Sequence, residues 1–198
     1  MSPLYGLVLA GGRSSRMQAD KAALDYGHKP QLARAFELLV PRVQEAWVSV
    51  RADQRDEPLR ARYPQIVDGA AGGGPIAGII AAQALHPGAA WLVLACDLPL
   101  LDGATLDRLL AGRDPHRIAT AFCSASDGLP EPLCAIYEPA SREAVLRHVA
   151  AGRLCPRRFL ATHDVCLLAA PHPHALDNAN TPQDAETLRA LLAPSEPA

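Results

Sequence analysis

Gly6-Leu7-Val8-Leu9-Ala10-Gly11-Gly12-Arg13-Ser14-Ser15-Arg16-Met17-Gln18-Ala19-Asp20-Lys21 is the stretch on which the reading of this chain turns. Leu7 to Ala10 is a short apolar run, the length of a strand buried on both faces. Gly11 and Gly12 end it. Without Cβ atoms they let the chain turn sharply and bring backbone N–H groups close to a ligand. Arg13, Arg16 and Lys21 add three cations to those amides. Together they make a dense set of donors for an anion with many oxygens, such as a triphosphate. The loop is not of the Walker A type, because G-x-x-x-x-G-K-[ST] does not occur in it. The plainer alternative is a tight strand-to-helix turn with solvated arginines.

The whole chain bounds the answer. Its 198 residues are 49% hydrophobic and 20% charged, which suits one globular domain over residues 1–198, with the tail from Pro194 frayed. Aromatics make up 5%, so the core is expected to be aliphatic. A formal net charge of −2 argues against a nucleic-acid or acidic-membrane surface and confines any anion site to a local patch. The five cysteines, at 96, 123, 134, 155 and 166, form no C-x-x-C pair, so reduced cytosolic thiols are expected rather than a disulfide framework or a zinc cage. No signal peptide is read at the N-terminus, and the run Ala89 to Leu101 is broken by Asp97 and Pro99, so a cytoplasmic location and no membrane span are expected.

Downstream, apolar spacing predicts a helix over Gln31–Val40, entered at Pro30 and ended by Pro41. Strands are expected at Trp47–Val50 and Gln65–Val67, with a charged surface segment, Asp53–Arg62, between them. A helix over Ile79–Leu85 follows, then a central strand at Trp91–Ala95 and a helix over Thr105–Leu110. Ile118–Phe122 and Leu133–Tyr137 read as strands, and Ser141–Val149 as a helix capped by Ser141. Phe159–Ala161 and Val165–Leu168 read as further strands, and Asp184–Leu192 as a last helix capped by Thr181. This alternation predicts a three-layer α/β/α fold of Rossmann-like type with a mostly parallel central sheet, whose ligands bind beyond the carboxyl ends of the strands.

Several residues beyond the first loop carry chemistry. Asp97 follows a strand directly, so its carboxylate emerges at a strand end, where one carboxylate plus phosphate oxygens holds Mg²⁺; a turn-capping Asp is the alternative. Gly72-x-Gly74-x-x-Ala77 formally fits a dinucleotide-binding fingerprint, which keeps an NAD-binding oxidoreductase open. Asp68-Gly69 is either a turn or a base or ribose contact. Asn178 and Asn180 offer amides to a cation or a phosphate, or simply cap a loop. Arg153, Arg157 and Arg158 form a basic cluster that either is solvated or meets the phosphate of a second substrate. His172 and His174 lack a third ligand, and Glu131 and Arg142 have no assigned role.

The order Leu-x-Leu-Ala-Gly-Gly-x-Ser-x-Arg-Met-x-x-Asp-Lys over residues 7–21 resembles the signature of the nucleotidyltransferases with a Rossmann-like fold. Within them it is most similar to the molybdenum cofactor guanylyltransferases, the MobA-like branch. Gln18 departs from that pattern, which has Gly after the Arg-Met pair. Cys96-Asp97-Leu98-Pro99 resembles the family's Asp-x-Pro metal motif, Gly74-Pro75-Ile76-Ala77-Gly78 its Gly-Pro-Leu-Ala-Gly element, and Asn178-Ala179-Asn180-Thr181-Pro182 its Asn-x-Asn-Thr-Pro motif.

The resemblance implies a nucleotide site formed by Leu9, Ala10, Gly11, Gly12, Arg13, Ser14 and Lys21, with Asp68, Gly74, Pro75, Ala77 and Gly78 on the base side. It places Asn178 and Asn180 on the acceptor side, and Mg²⁺ on Asp97. It implies GTP as donor, molybdenum-bearing molybdopterin as acceptor, and transient contact with molybdenum-enzyme maturation proteins. The expected chemistry is in-line attack of an acceptor phosphate on the α-phosphorus, with Lys21, Arg16 and loop amides stabilising the developing charge. A cytidylyltransferase using CTP on the same pterin and a nucleotide-binding regulator without chemistry are the other readings.

Overall fold

The computed structural model describes residues 1–12, 20–26, 29–69, 73–125, 127–172, 174–179 and 181–192. Its centre is a seven-stranded sheet. β1 (Leu4–Leu9) lies between β2 (Ala46–Arg51) and β4 (Ala90–Ala95), parallel to both, and β3 (Gln65–Asp68) pairs parallel with β2 at the edge. β6 (Pro130–Tyr137) runs antiparallel between β4 and β5 (Ala119–Cys123), and β7 (Val165–Ala169) closes the other edge parallel to β5. The order is β3-β2-β1-β4-β6-β5-β7.

β4 explains why the sheet is a middle layer. All six of its residues are buried, and from Ala90 to Leu94 they alternate between two cores. Leu92 and Leu94 face one core with α1 (Gln31–Leu39) and α3 (Gly103–Ala111), through Leu32, Ala35, Leu39, Leu106 and Leu109. Trp91 and Val93 face the other, with Ile76, Ile79 and Ala82 of α2 (Pro75–Leu85), Val145 of α4 (Ser141–Ala150) and Phe159 of α5 (Pro156–Ala161). Both faces are covered, so the run carries no polar alternation.

The chain winds outward from β1 through α1 to β2 and β3. It then crosses back by α2, on the opposite face, to β4. Strand order therefore reverses between β1 and β4, and in open α/β sheets the crevice at that reversal is where ligands bind. A third small cluster, Ala179 and Leu188 against Leu24, Tyr26 and Leu100, seats the C-terminal helix α6 (Pro182–Leu192) over the loops that leave β1 and β4.

The expected elements differ from the observed ones in three places, and one expected cap is present. Phe159–Ala161 is the end of helix α5, not a strand; Pro156 at its first turn is the local signal. Asp53–Arg62 forms two short 3-10 turns, and Arg60 within it is buried rather than solvated. Ser141 does not cap α4; it is the first helical residue, buried, donating to the Glu138 carbonyl at 2.7 Å and accepting from Gln83 at 2.8 Å. Thr181 does cap α6: its Oγ1 accepts from the Asp184 N–H at 3.1 Å while the Asp184 carboxylate accepts from the Thr181 N–H at 2.8 Å, a reciprocal capping box. The expected tail from Pro194 lies outside the described residues. No helix among those described is long and apolar enough to cross a membrane.

Candidate active site

Hydrogen-bond register puts Leu9, the last residue of β1, beside Ala95, the last of β4, and the Cys96 N–H continues the ladder to the Leu9 carbonyl. Asp97 therefore leaves the sheet next to the first glycine turn, although 76 residues of sequence separate it from Lys21. Lys21 opens the short 3-10 turn Lys21–Ala23 on the far side of that loop. Its Nζ lies 2.8 Å from Asp97 Oδ2, with the two side chains 20% and 18% exposed. The pair spans the reversal of strand order and stays in reach of solvent.

One buried residue holds both ends of the loop. Arg60, 1% exposed, donates to the Ala10 carbonyl through Nε at 3.1 Å and Nη2 at 2.8 Å. The same guanidinium donates to both oxygens of Asp20, at 2.7 and 2.8 Å, and also pairs with Glu57. Asp20 in turn accepts from the Ala22 N–H at 3.2 Å, capping the turn that carries Lys21. The Arg60 guanidinium, against the opposing effect of burial, holds the Asp20 carboxyl below its ordinary pKa. Sequence reasoning missed Arg60, because nothing local separates it from the exposed Arg55 and Arg62. It also missed Arg34 of α1, which donates to the carbonyls of Pro99 and Leu101 and so fixes the turn after Asp97.

The base-side residues converge only in part. Asp68 ends β3 in register with Arg51, and a Cβ on Gly11 would stand 3.2 Å from its Oδ2. Gly11 therefore keeps the loop close to the end of β3. Burial raises the Asp68 carboxyl, with Arg51 pulling the other way. Gly74 has φ +59° and open space around it, Pro75 is exposed at the start of α2, and Ala77 is buried. Gly78 serves packing: a Cβ there would meet Ser49 Oγ at 2.4 Å and Leu9 Cδ2 at 2.7 Å. At Gly78 the space is filled by β1 and β2 beneath α2, whereas at Gly74 it is open.

On the other flank the Ala179 N–H donates to the Asp97 carbonyl at 3.2 Å, which brings Asn178 beside the carboxylate loop. Asn178 lines a recess with Leu98, Glu131 and Arg157. Arg153 and Arg158 of the basic cluster are exposed, whereas Arg157 is half-buried. Arg13, Ser14, Arg16, Gln18, Gly72 and Asn180 lie outside the described residues.

No group of three or more His, Cys, Asp or Glu stands together among the described residues. One carboxylate at a strand end suits Mg²⁺, which arrives with substrate phosphates and keeps waters instead of needing an all-protein cage. Asp97 thus fits as the protein's share of such a site.

The sequence matches the family described as MobA-like NTP transferase domain over residues 6–166. The molybdenum cofactor biosynthesis bifunctional protein of Synechocystis is 33% identical over 92% of this chain, but the match covers only 53% of that protein, so the chain spans about half of its length. The molybdenum cofactor guanylyltransferase of Cereibacter sphaeroides is 32% identical over 96% of this chain and 97% of its own. Among solved structures, molybdopterin-guanine dinucleotide biosynthesis protein A of Archaeoglobus fulgidus superposes with a TM-score of 0.78 at 24% identity, covering 95% of this chain and 98% of that one. The 2-C-methyl-D-erythritol 4-phosphate cytidylyltransferase of Thermus thermophilus gives 0.68 at 15%, over 94% and 97%. At those identities the likeness bears on the fold alone. The oxidoreductase reading falls: its fingerprint follows a short edge strand instead of the central β1, and the family match embraces that segment. With the glycine loop and Asp97 joined at the switch point, and with the match running through both, the chain belongs to the MobA-like NTP transferases and is a nucleotidyltransferase.

Proposed function

We propose that this enzyme transfers GMP from GTP to molybdenum-bearing molybdopterin, forming the guanine dinucleotide cofactor and releasing pyrophosphate. The observation that carries the reading is the 2.8 Å contact between Lys21 and Asp97 at the reversal of strand order. The naming of full-length relatives as molybdenum cofactor guanylyltransferases supports the choice of nucleotide and acceptor.

The pair suits a polyphosphate. An unpaired carboxylate would repel the incoming anion, and Lys21 offsets its charge before the nucleotide arrives. Lys21 then has competing phosphate oxygens within reach of a flexible four-carbon stem, so its cation can exchange partners as charge builds on the α-phosphoryl oxygens and the departing pyrophosphate. Asp97 is the residue that would hold Mg²⁺, which when bound neutralises phosphate oxygens. Arg60 ties the Ala10 carbonyl to Asp20, so these two ends of the loop are already held together when the substrate arrives. The acceptor's terminal phosphate is already ionised near neutral pH, so no general base is required of the protein.

The test is pyrophosphate release from GTP and from CTP, each with molybdenum-loaded molybdopterin and Mg²⁺. Release from GTP, abolished by EDTA, is expected. Release from CTP alone would make the enzyme a cytidylyltransferase. Tight nucleotide binding without release on any pterin acceptor would leave a binding protein only.

A further inference from the structure

Next to Asp97 the same edge of the sheet opens into a recess of about 210 Å³. It is smaller than the ~300–1,000 Å³ that takes a drug-sized ligand, so it suits one ring system rather than a dinucleotide. Its walls are apolar at Leu98, Leu133 and Leu176, and polar at Glu131, Arg157 and Asn178. It adjoins the catalytic edge through two chain neighbours: Leu98 follows Asp97, and Asn178 precedes the Ala179 N–H that bonds the Asp97 carbonyl.

The charges in this recess are unsuited to a phosphate. Arg157 donates to Glu131 Oε2 at 2.7 Å through Nη2 and to Asp127 Oδ2 at 2.9 Å through Nη1. Two carboxylates share one guanidinium, Glu131 in the lining and Asp127 outside it, so Arg157 is already neutralised and the three side chains together carry a formal charge of −1. Glu131 is only 15% exposed, and Arg157 fixes its direction. Each carboxylate oxygen accepts about two hydrogen bonds. Oε2 therefore keeps a free lone pair, and Oε1 has no hydrogen bond among the described residues. A carboxylate fixed among aliphatic side chains is a receptor for a flat ring that presents two adjacent N–H donors.

We propose that this recess binds the pterin ring of the acceptor, with Glu131 accepting the N–H groups of its 2-amino-4-oxopyrimidine edge and Arg157 positioning Glu131. The proposal rests on a pterin being the acceptor. The leucines cover the ring faces, and with Arg157 occupied by Glu131 and Asp127 the recess offers no open cation to the acceptor's phosphate, which is left to Lys21. Bidentate pairing of this kind is both stronger and more directional than a single neutral hydrogen bond.

The test is fluorescence titration of the full chain with 6-hydroxymethylpterin and with the matching lumazine, in which oxygen replaces the 2-amino group. The pterin is expected to bind at least about tenfold tighter than the lumazine. Glu131→Gln is expected to weaken pterin binding by about 10- to 100-fold and to remove the preference, while the affinity for GTP–Mg²⁺ stays within about twofold. Arg157→Met, which frees Glu131 to rotate, is expected to lose part of the preference without losing nucleotide binding. Equal binding of pterin and lumazine, no saturable pterin binding, or unchanged pterin affinity in Glu131→Gln would each overturn the proposal. Pterin discrimination in a protein that prefers CTP–Mg²⁺ would uphold it and sink the guanylyl reading instead.

Discussion

Lys21 and Asp97 meet at the carboxyl end of the sheet; Arg113 and Glu138 meet at the opposite end, where the chain enters β1 and leaves β6. The first pair is a contact of 2.8 Å between side chains each about a fifth exposed. The second is a fork: Arg113 Nε and Nη2 donate to the two oxygens of Glu138 at 2.6 and 2.9 Å, and Nη2 also reaches Ser2 Oγ at 2.8 Å. There the exposures are 9% and 1%. Both pairs join residues remote in sequence, yet they do different work. The buried fork is a joint closed off from solvent, with the Ser2 hydroxyl as a further partner of both charges. The solvent-facing lysine sits at the mouth of the crevice, where a substrate phosphate competes for it. The contrast separates what holds the sheet from what the sheet holds out.

The largest effect is expected at the joint. Arg113→Ala strands the Glu138 carboxylate in the interior and should lower stability by about 3–5 kcal/mol, read as a shift in the urea midpoint at constant slope. Turnover per folded molecule should be unaltered. Lys21→Ala should show the reverse: a fall in turnover of roughly 10²–10³, about 2.7–4 kcal/mol in the barrier, with the urea midpoint close to that of the parent. A Lys21→Ala protein that unfolds as readily as Arg113→Ala, or that turns over normally, would erase the distinction.

The same division explains what was legible beforehand. The glycine loop and Asp97 were readable because each is a local pattern: an apolar run, then residues that no buried strand tolerates. Their meeting followed from strand alternation and the rule that such sheets bind ligands at the carboxyl edge. Arg60 and Arg34 were not readable, because their significance is which carbonyls they reach, and the chain reveals that only when folded. The antiparallel direction of β6 was equally hidden; its apolar run has the same composition whichever way it points. Phe159–Ala161 failed for a different reason. Three apolar residues are too few to tell a period of two from one of 3.6.

Gly78 tests the division inside a single motif. Gly74 and Gly78 look alike in sequence, but Gly74 adopts a left-handed φ in open space while Gly78 is pressed against Ser49 and Leu9. Gly78→Ala must push α2 off β1 and β2, and should destabilise by about 1–3 kcal/mol as overpacking does. Calorimetric melting would measure it. A melting point equal to the parent's would return Gly78 to the ligand side of the motif.

The smallest expected effect belongs to Asp20–Arg60, which lies between the two extremes: the guanidinium is 1% exposed and the carboxylate 40%. Arg60 holds the Asp20 carboxyl below its ordinary pKa in the folded chain. On acidification the unfolded chain therefore takes up this proton first. The stability contributed by the pair is complete above the unfolded carboxylate value, about 3.9, and drains away as pH falls through the lower folded value. Exposure of Asp20 to solvent keeps the contribution modest. Asp20→Asn should accordingly melt near the parent at pH 3 and below it at pH 7, giving a shallower acid limb. If the two melting curves run parallel from pH 7 to pH 3, Arg60 acts on the loop through the Ala10 carbonyl alone, and Lys21 owes its position to the backbone rather than to the charge beside it.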